Sequence, residues 1–172
     1  GEIRENDEYS GYRVALTADY PPMAVPLKLD VTTGDKITPK EIEYSFKLLL
    51  EDRSISILAY NLETILAEKL ETVISRSDQN TRPRDYYDIY VLMKLQSQNI
   101  DLPSLKEALA ATCKKRGSAE TVKGYKQIMD QVKNSAVMQE QWSRYQKEFD
   151  YASDIPFEDT CDTVISVMES LE

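Results

Sequence analysis

The sequence predicts an α+β fold: a small mixed or antiparallel sheet followed by a C-terminal helical bundle. Three observations carry that prediction. Apolar residues alternate with polar ones before residue 60, which is the period of a strand. After residue 60 they recur every three or four positions, which is the period of a helix. Gly and Pro, five and seven in 172 residues, are too few for a linker or a low-complexity chain. The length suits about one domain, divided into a sheet region over 1–60 and a helical region over 61–172.

Each element has its own signal. Tyr12, Val14 and Leu16 alternate with polar or small residues until Tyr20-Pro21-Pro22 breaks the run. Val25, Leu27, Leu29 and Val31 alternate again, with Lys28 and Asp30 on the opposite face. Pro26 within this run suits an edge strand or a late strand start, because proline cannot donate to a ladder. Thr33-Gly34-Asp35 is turn chemistry. Residues 41–50 fit either a strand or a helix, and Ser54 to Leu58 reads as a third strand.

Asn61 is a candidate N-cap for a helix running to about Arg76. A polar loop, Ser77 to Thr81, precedes a second helix that opens at Pro83 and runs to about Gln98. Four further amphipathic stretches lie near 102–116, 119–133, 136–149 and 157–171. Asp101, Ser118 and Ser135 are candidate caps, Pro103 and Pro156 sit near helix starts, and Gly117 is a helix stop. No internal repeat occurs.

Composition excludes whole classes of chemistry. The chain has no histidine, which removes Ser-His-Asp and Cys-His hydrolases and every His-ligated metal site. Its two cysteines, Cys113 and Cys161, cannot build an all-cysteine zinc site and are expected as reduced thiols. The net charge of −9 argues against the whole chain as a nucleic-acid grip but leaves room for a local basic cleft. No stretch is apolar for long enough to span a membrane, so a cytoplasmic location is expected. Gly1 in place of Met fits a tag-removal scar or a piece of a longer protein.

Two neighbouring helices carry charges where the core should be. At about 100° per residue, Leu62, Leu66, Lys69 and Val73 share one stripe, with Arg76 on its flank. In the next helix Asp85, Asp88, Leu92 and Leu95 follow i, i+3, i+7, i+10 spacing, with Arg82 and Arg84 beside the carboxylates. A lysine can snorkel its ammonium out of such a stripe, and carboxylates gain from the positive end of a helix. Inward carboxylates facing an inward lysine are nevertheless costly unless paired. The pattern fits a polar site or a structural ion-pair network, and either predicts N···O contact between Lys69 and one or both aspartates. Asp30, in Leu29-Asp30-Val31, fits a solvated side chain or a carboxylate held out to a divalent cation.

The run Tyr60-Asn61-Leu62-Glu63-Thr64-Ile65-Leu66-Ala67-Glu68-Lys69-Leu70, then Arg76, then Arg82-Pro83-Arg84-Asp85-Tyr86-Tyr87-Asp88-Ile89-Tyr90, resembles the AbiEii/AbiGii toxin family. These are bacterial nucleotidyltransferase-like toxins of type IV toxin–antitoxin and abortive-infection systems. The resemblance is specific over this run and weaker over the strands before it and the bundle after it. It implies a polymerase-β-like nucleotidyltransferase domain, of which the sheet here would be a remnant. It carries Lys69 and Arg76 over as nucleoside triphosphate contacts, Asp85 and Asp88 as the downstream acidic pair, and Arg84 as their basic neighbour. Asp30 matches the family's third metal carboxylate, with Mg²⁺ as the implied cofactor.

The sequence departs from the family upstream of Asp30. No Gly-Gly or Gly-Ser turn followed by a D-x-D-type pair occurs there. The chain therefore reads as an AbiEii-type protein lacking its N-terminal catalytic strands and inactive by itself. The implied function is nucleotide transfer from a nucleoside triphosphate to an RNA hydroxyl, with a tRNA end as acceptor by family analogy and a cognate antitoxin as partner. The sequence shows no stacking platform for RNA, and its one dense basic run, Lys114-Lys115-Arg116, reads equally as solvated helix-end charge. The competing function is a degenerate, non-enzymatic module whose bundle binds a protein through Trp142, Tyr145 and Phe149, residues that also suit a core.

Overall fold

A computed structural model describes residues 2–3, 11–32 and 36–172. The chain divides into two compact units, Gly1–Lys36 and Ile37–Glu172.

The first unit is an antiparallel sheet in the order β1-β2-β3, from β1 (Glu2–Ile3), β2 (Gly11–Tyr20) and β3 (Met23–Thr32). Tyr12 faces Val31, Val14 faces Leu29, and Leu16 faces Leu27. The two alternating runs of the sequence therefore combine into one apolar face, because cross-strand partners share a side of the sheet. Pro26 lies on the edge strand, where its missing N–H costs no ladder bond. The expected Thr33-Gly34-Asp35 turn lies outside the described residues.

The second unit opens with a two-stranded hairpin of β4 (Ile42–Lys47) and β5 (Ser54–Ala59). Ile42, Tyr44 and Phe46 sit opposite Ala59, Ile57 and Ile55. This pairing resolves residues 41–50 as a strand and its turn. The strands thus form two separate antiparallel sheets among the described residues.

The helical region comprises α1 (Leu62–Arg76), α2 (Pro83–Gln96), α3 (Leu102–Arg116), α4 (Ala119–Lys123), α5 (Tyr125–Asn134), α6 (Ala136–Glu148) and α7 (Phe157–Ser170). Asn61 caps α1 by accepting from the Thr64 N–H at 2.7 Å. Its Nδ2 also donates to the carbonyls of Thr38 and Lys40, at 2.8 and 2.9 Å, which ties the segment before β4 to the start of α1. Asp101 and Ser135 cap α3 and α6 through their side chains, whereas Ser118 makes no such bond. Gly117 ends α3 at φ 65°, a left-handed conformation that glycine adopts without Cβ strain.

One expectation is corrected here and one choice is decided. The stretch 119–133 is two helices, broken at Gly124. Trp142 and Tyr145 are buried and Phe149 packs against the core, so this trio belongs to the core and offers no partner surface. The core runs through α1 and out to α7, with Leu66, Leu70, Val73, Ile74, Tyr86, Ile89 and Val164 fully buried. Helix α1 packs against α2 and α3, and α2 packs against α6 and α7. Cys113 and Cys161 are free, buried thiols.

Candidate functional site

Helix α1 delivers Lys69 into its contact with α2 because Lys69 shares the stripe of Leu66 and Val73, both fully buried. The lysine side chain is 21% exposed and Asp85 only 4%. Lys69 Nζ donates to Asp85 Oδ1 at 3.0 Å and to Asp88 Oδ2 at 2.7 Å, so the expected pairing involves both carboxylates. Asp85 reaches inward from the first turn of α2, where the helix dipole favours an anion. Leu95, expected on the same stripe, is 59% exposed. The buried direction of α2 follows Asp85, Tyr86 and Ile89 and turns away from it.

Arginines complete the cluster. Arg82 Nε lies 3.1 Å from Asp85 Oδ2, and Arg84 Nε lies 3.8 Å from Asp88 Oδ2. The Arg82 contact is electrostatic, since no N–H is aligned on the buried Oδ2. Lys69, Arg82 and Arg84 set three cations against two carboxylates, so the cluster is one positive charge in excess. Arg82 and Arg84 are both exposed, Arg84 the more so. Arg76 ends α1, is exposed, and stands outside the Lys69 contacts; it lines an open depression of about 460 Å³ with Ser75, Ser77, Asp78 and Gln79.

Next to this cluster stand aromatic side chains that sequence reasoning did not connect. Tyr87 of α2 lies 4.7 Å, centroid to centroid, from Tyr151, which follows α6 in a short 3₁₀ turn. Phe149 stacks on Tyr151 at 5.3 Å with the rings 26° apart. The hydroxyls of Tyr145 and Tyr151 are 3.0 Å apart. Burial, the Tyr151 hydroxyl and the negative charge of Asp88 together raise the Tyr145 hydroxyl well above the usual tyrosine range, which places Asp88 within its electrostatic reach. Tyr145 and Phe149 read as core residues in sequence, and Tyr151 lies in an irregular turn with no periodic signal. Only the fold brings them to the Arg84 end of α2.

Asp30 belongs to the first unit, on the polar face of the β2–β3 hairpin. Arg13, its cross-strand partner, holds both carboxylate oxygens, at 2.6 and 2.7 Å. Mg²⁺ prefers several oxygen ligands in near-octahedral geometry. No group of three or more Asp, Glu, Cys or His side chains able to hold a cation occurs among the described residues. With Asp30 engaged by Arg13, and Asp85 and Asp88 by Lys69, these donors do not fit a magnesium site.

No helix among the described residues is long and apolar enough to cross a membrane. A family match, to the family described as nucleotidyl transferase AbiEii toxin, type IV TA system, spans residues 1–163. No curated protein and no solved structure matches the chain.

Proposed function

The chain belongs to the AbiEii family of nucleotidyl transferase toxins of type IV toxin–antitoxin systems, and from that premise we propose that its helical unit is the phosphate-handling part of an enzyme that moves a nucleotide from a nucleoside triphosphate to an RNA end, with tRNA as the acceptor class. The observation that supports this reading is the Lys69–Asp85–Asp88 cluster, where two helices hold a lysine rigidly at the edge of solvent with one positive charge in excess. Lys69 and Arg84 would meet phosphate oxygens there, and Arg76 would meet the same triphosphate from the end of α1. Asp85 and Asp88 fix the direction of the ammonium, so little reorganisation accompanies phosphate arrival.

In-line displacement on a triphosphate calls for cations against both attacking and leaving oxygens. The carboxylates described here do not supply such a site, so this chain by itself is proposed to bind nucleotide weakly and to transfer none. The test is incubation of the purified chain with Mg²⁺, each labelled nucleoside triphosphate and bulk tRNA, beside a direct nucleotide-binding titration. Expected are binding weakened at least roughly threefold by Arg76→Ala, the effect of losing one phosphate contact, and no transferred label. Robust transfer that disappears in Asp30→Ala would overturn the claim of inactivity; nucleotide binding indifferent to Arg76→Ala and Arg84→Ala would overturn the assignment of the phosphate contacts.

A further inference from the structure

Tyr151 is 53% exposed yet firmly held. Phe149 stacks on it, Tyr87 closes in at 4.7 Å, and its hydroxyl is tied to that of Tyr145 at 3.0 Å. An aromatic ring left open to solvent but fixed on several sides is pre-organised, so a ligand that stacks on it loses little side-chain entropy. The cation beside it points to the ligand. Arg84 and Tyr87 are i, i+3 neighbours on α2, and the Arg84 side chain is 77% exposed. A fixed aromatic surface next to a solvent-exposed guanidinium is the pairing by which proteins hold unpaired nucleotides: the ring takes a base and the arginine takes a phosphate.

We propose that Tyr151, braced by Phe149 and Tyr87 beside Arg84, is a stacking shelf for an unpaired base at the end of the RNA acceptor. The proposal rests on the RNA-acceptor reading above and names the residues that would read the acceptor. The charge distribution favours a short single strand over a duplex. A duplex needs a long basic surface for its phosphates, whereas the arginines here, Arg82 and Arg84, stand only at the start of α2 in a chain of net charge −9. A duplex also buries the base faces that a stacking shelf would take up.

The experiment is fluorescence anisotropy of the purified chain with a fluorescein-labelled single-stranded RNA of about ten nucleotides, within the range of short single-strand sites. A parallel RNA carries 2-aminopurine as its terminal base. Expected are binding by the wild type, about tenfold weaker binding by Tyr151→Leu, near-wild-type binding by Tyr151→Phe, and a lower salt dependence for Arg84→Ala. The terminal 2-aminopurine should be quenched on binding, a readout that holds even if Tyr151→Leu folds poorly. Unchanged affinity in a folded Tyr151→Leu, absence of quenching, or no binding of the single strand by the wild type overturns the shelf. Label transfer to tRNA is scored separately. Tyr151-dependent RNA binding by a protein that moves no nucleotide in any complete system would sink the transferase reading and leave the shelf standing. Transfer that ignores Tyr151→Leu would do the reverse.

Discussion

Lys69 is the residue on which the candidate site turns, and its two partners make it costly to remove. Lys69→Met leaves Asp85 and Asp88 facing each other across a half-buried space with no ammonium between them. The expected loss is about 2–3 kcal/mol, the scale of breaking a largely buried charged pair, read as a shift of the urea midpoint. Adding Asp85→Asn and Asp88→Asn should restore much of that stability without restoring nucleotide binding, which separates folding from function. Cys161 supplies a second test at this scale. Burial pushes its thiol up to about 12, above the ordinary thiol value. The unfolded thiol therefore releases its proton at a lower pH than the folded one, so stability is full below the unfolded value and falls as pH climbs through the alkaline range. Urea midpoints should drop between pH 8 and pH 10.5, and Cys161→Ala should shrink that drop. Little of the residue pairing was hidden from the sequence: two charges on two adjacent apolar stripes demand each other. The Arg13 clasp on Asp30 was hidden, because cross-strand register is set by a turn geometry that local alternation does not reveal.

At the scale of elements, caps decide more than propensity does. Asn61 caps α1 and also donates to two carbonyls that precede β4. Asn61→Ala should cost about 2 kcal/mol, the upper end for an N-cap, measured as a thermal shift. Asn61→Asp should recover little of it. The carboxylate keeps the cap, but it cannot donate to Thr38 and Lys40 and would set a negative charge against their carbonyls. Gly117 at φ 65° predicts a loss of about 1 kcal/mol for Gly117→Ala. Both features were legible, since an Asn and a Gly bracketing apolar runs are direct signals of helix ends. The break at Gly124 was not. Val122, Tyr125, Met129 and Val132 keep helical spacing straight through it and are all buried, so the apolar pattern gives no sign that the axis changes. Leu95 misled for a related reason: counting from Asp85 followed the flank of α2 instead of its buried direction.

Across the whole molecule, the sheets and the helices differ in kind. The helical unit has a conventional core, whereas the hairpins hold their apolar residues open. Tyr12, Val14, Leu16, Val25, Leu27 and Leu29 are each 41–54% exposed and share one face of the first unit. A contiguous apolar face of this kind binds hydrophobic dyes. The native chain should therefore enhance ANS fluorescence. The cross-strand pair Leu16→Lys with Leu27→Glu should cut that enhancement by more than half while leaving the helical circular dichroism unchanged. Sequence periodicity identified this face, but no periodicity says whether a face is covered. The aromatic shelf was illegible for the opposite reason: Tyr87 is far along the chain from Phe149 and Tyr151 and meets them only through the packing of α2 against α6.

The contacts of Lys69 reach only 16 and 19 residues along the chain. The ammonium and both of its direct partners are written in one short tract, from α1 through the first turns of α2. Such a tract can be inherited intact through recombination on either side of it. The sheet and the outer helices can diverge, be exchanged or be lost without scrambling the lysine and its two aspartates. Selection can thus act on the cluster almost as a single heritable letter.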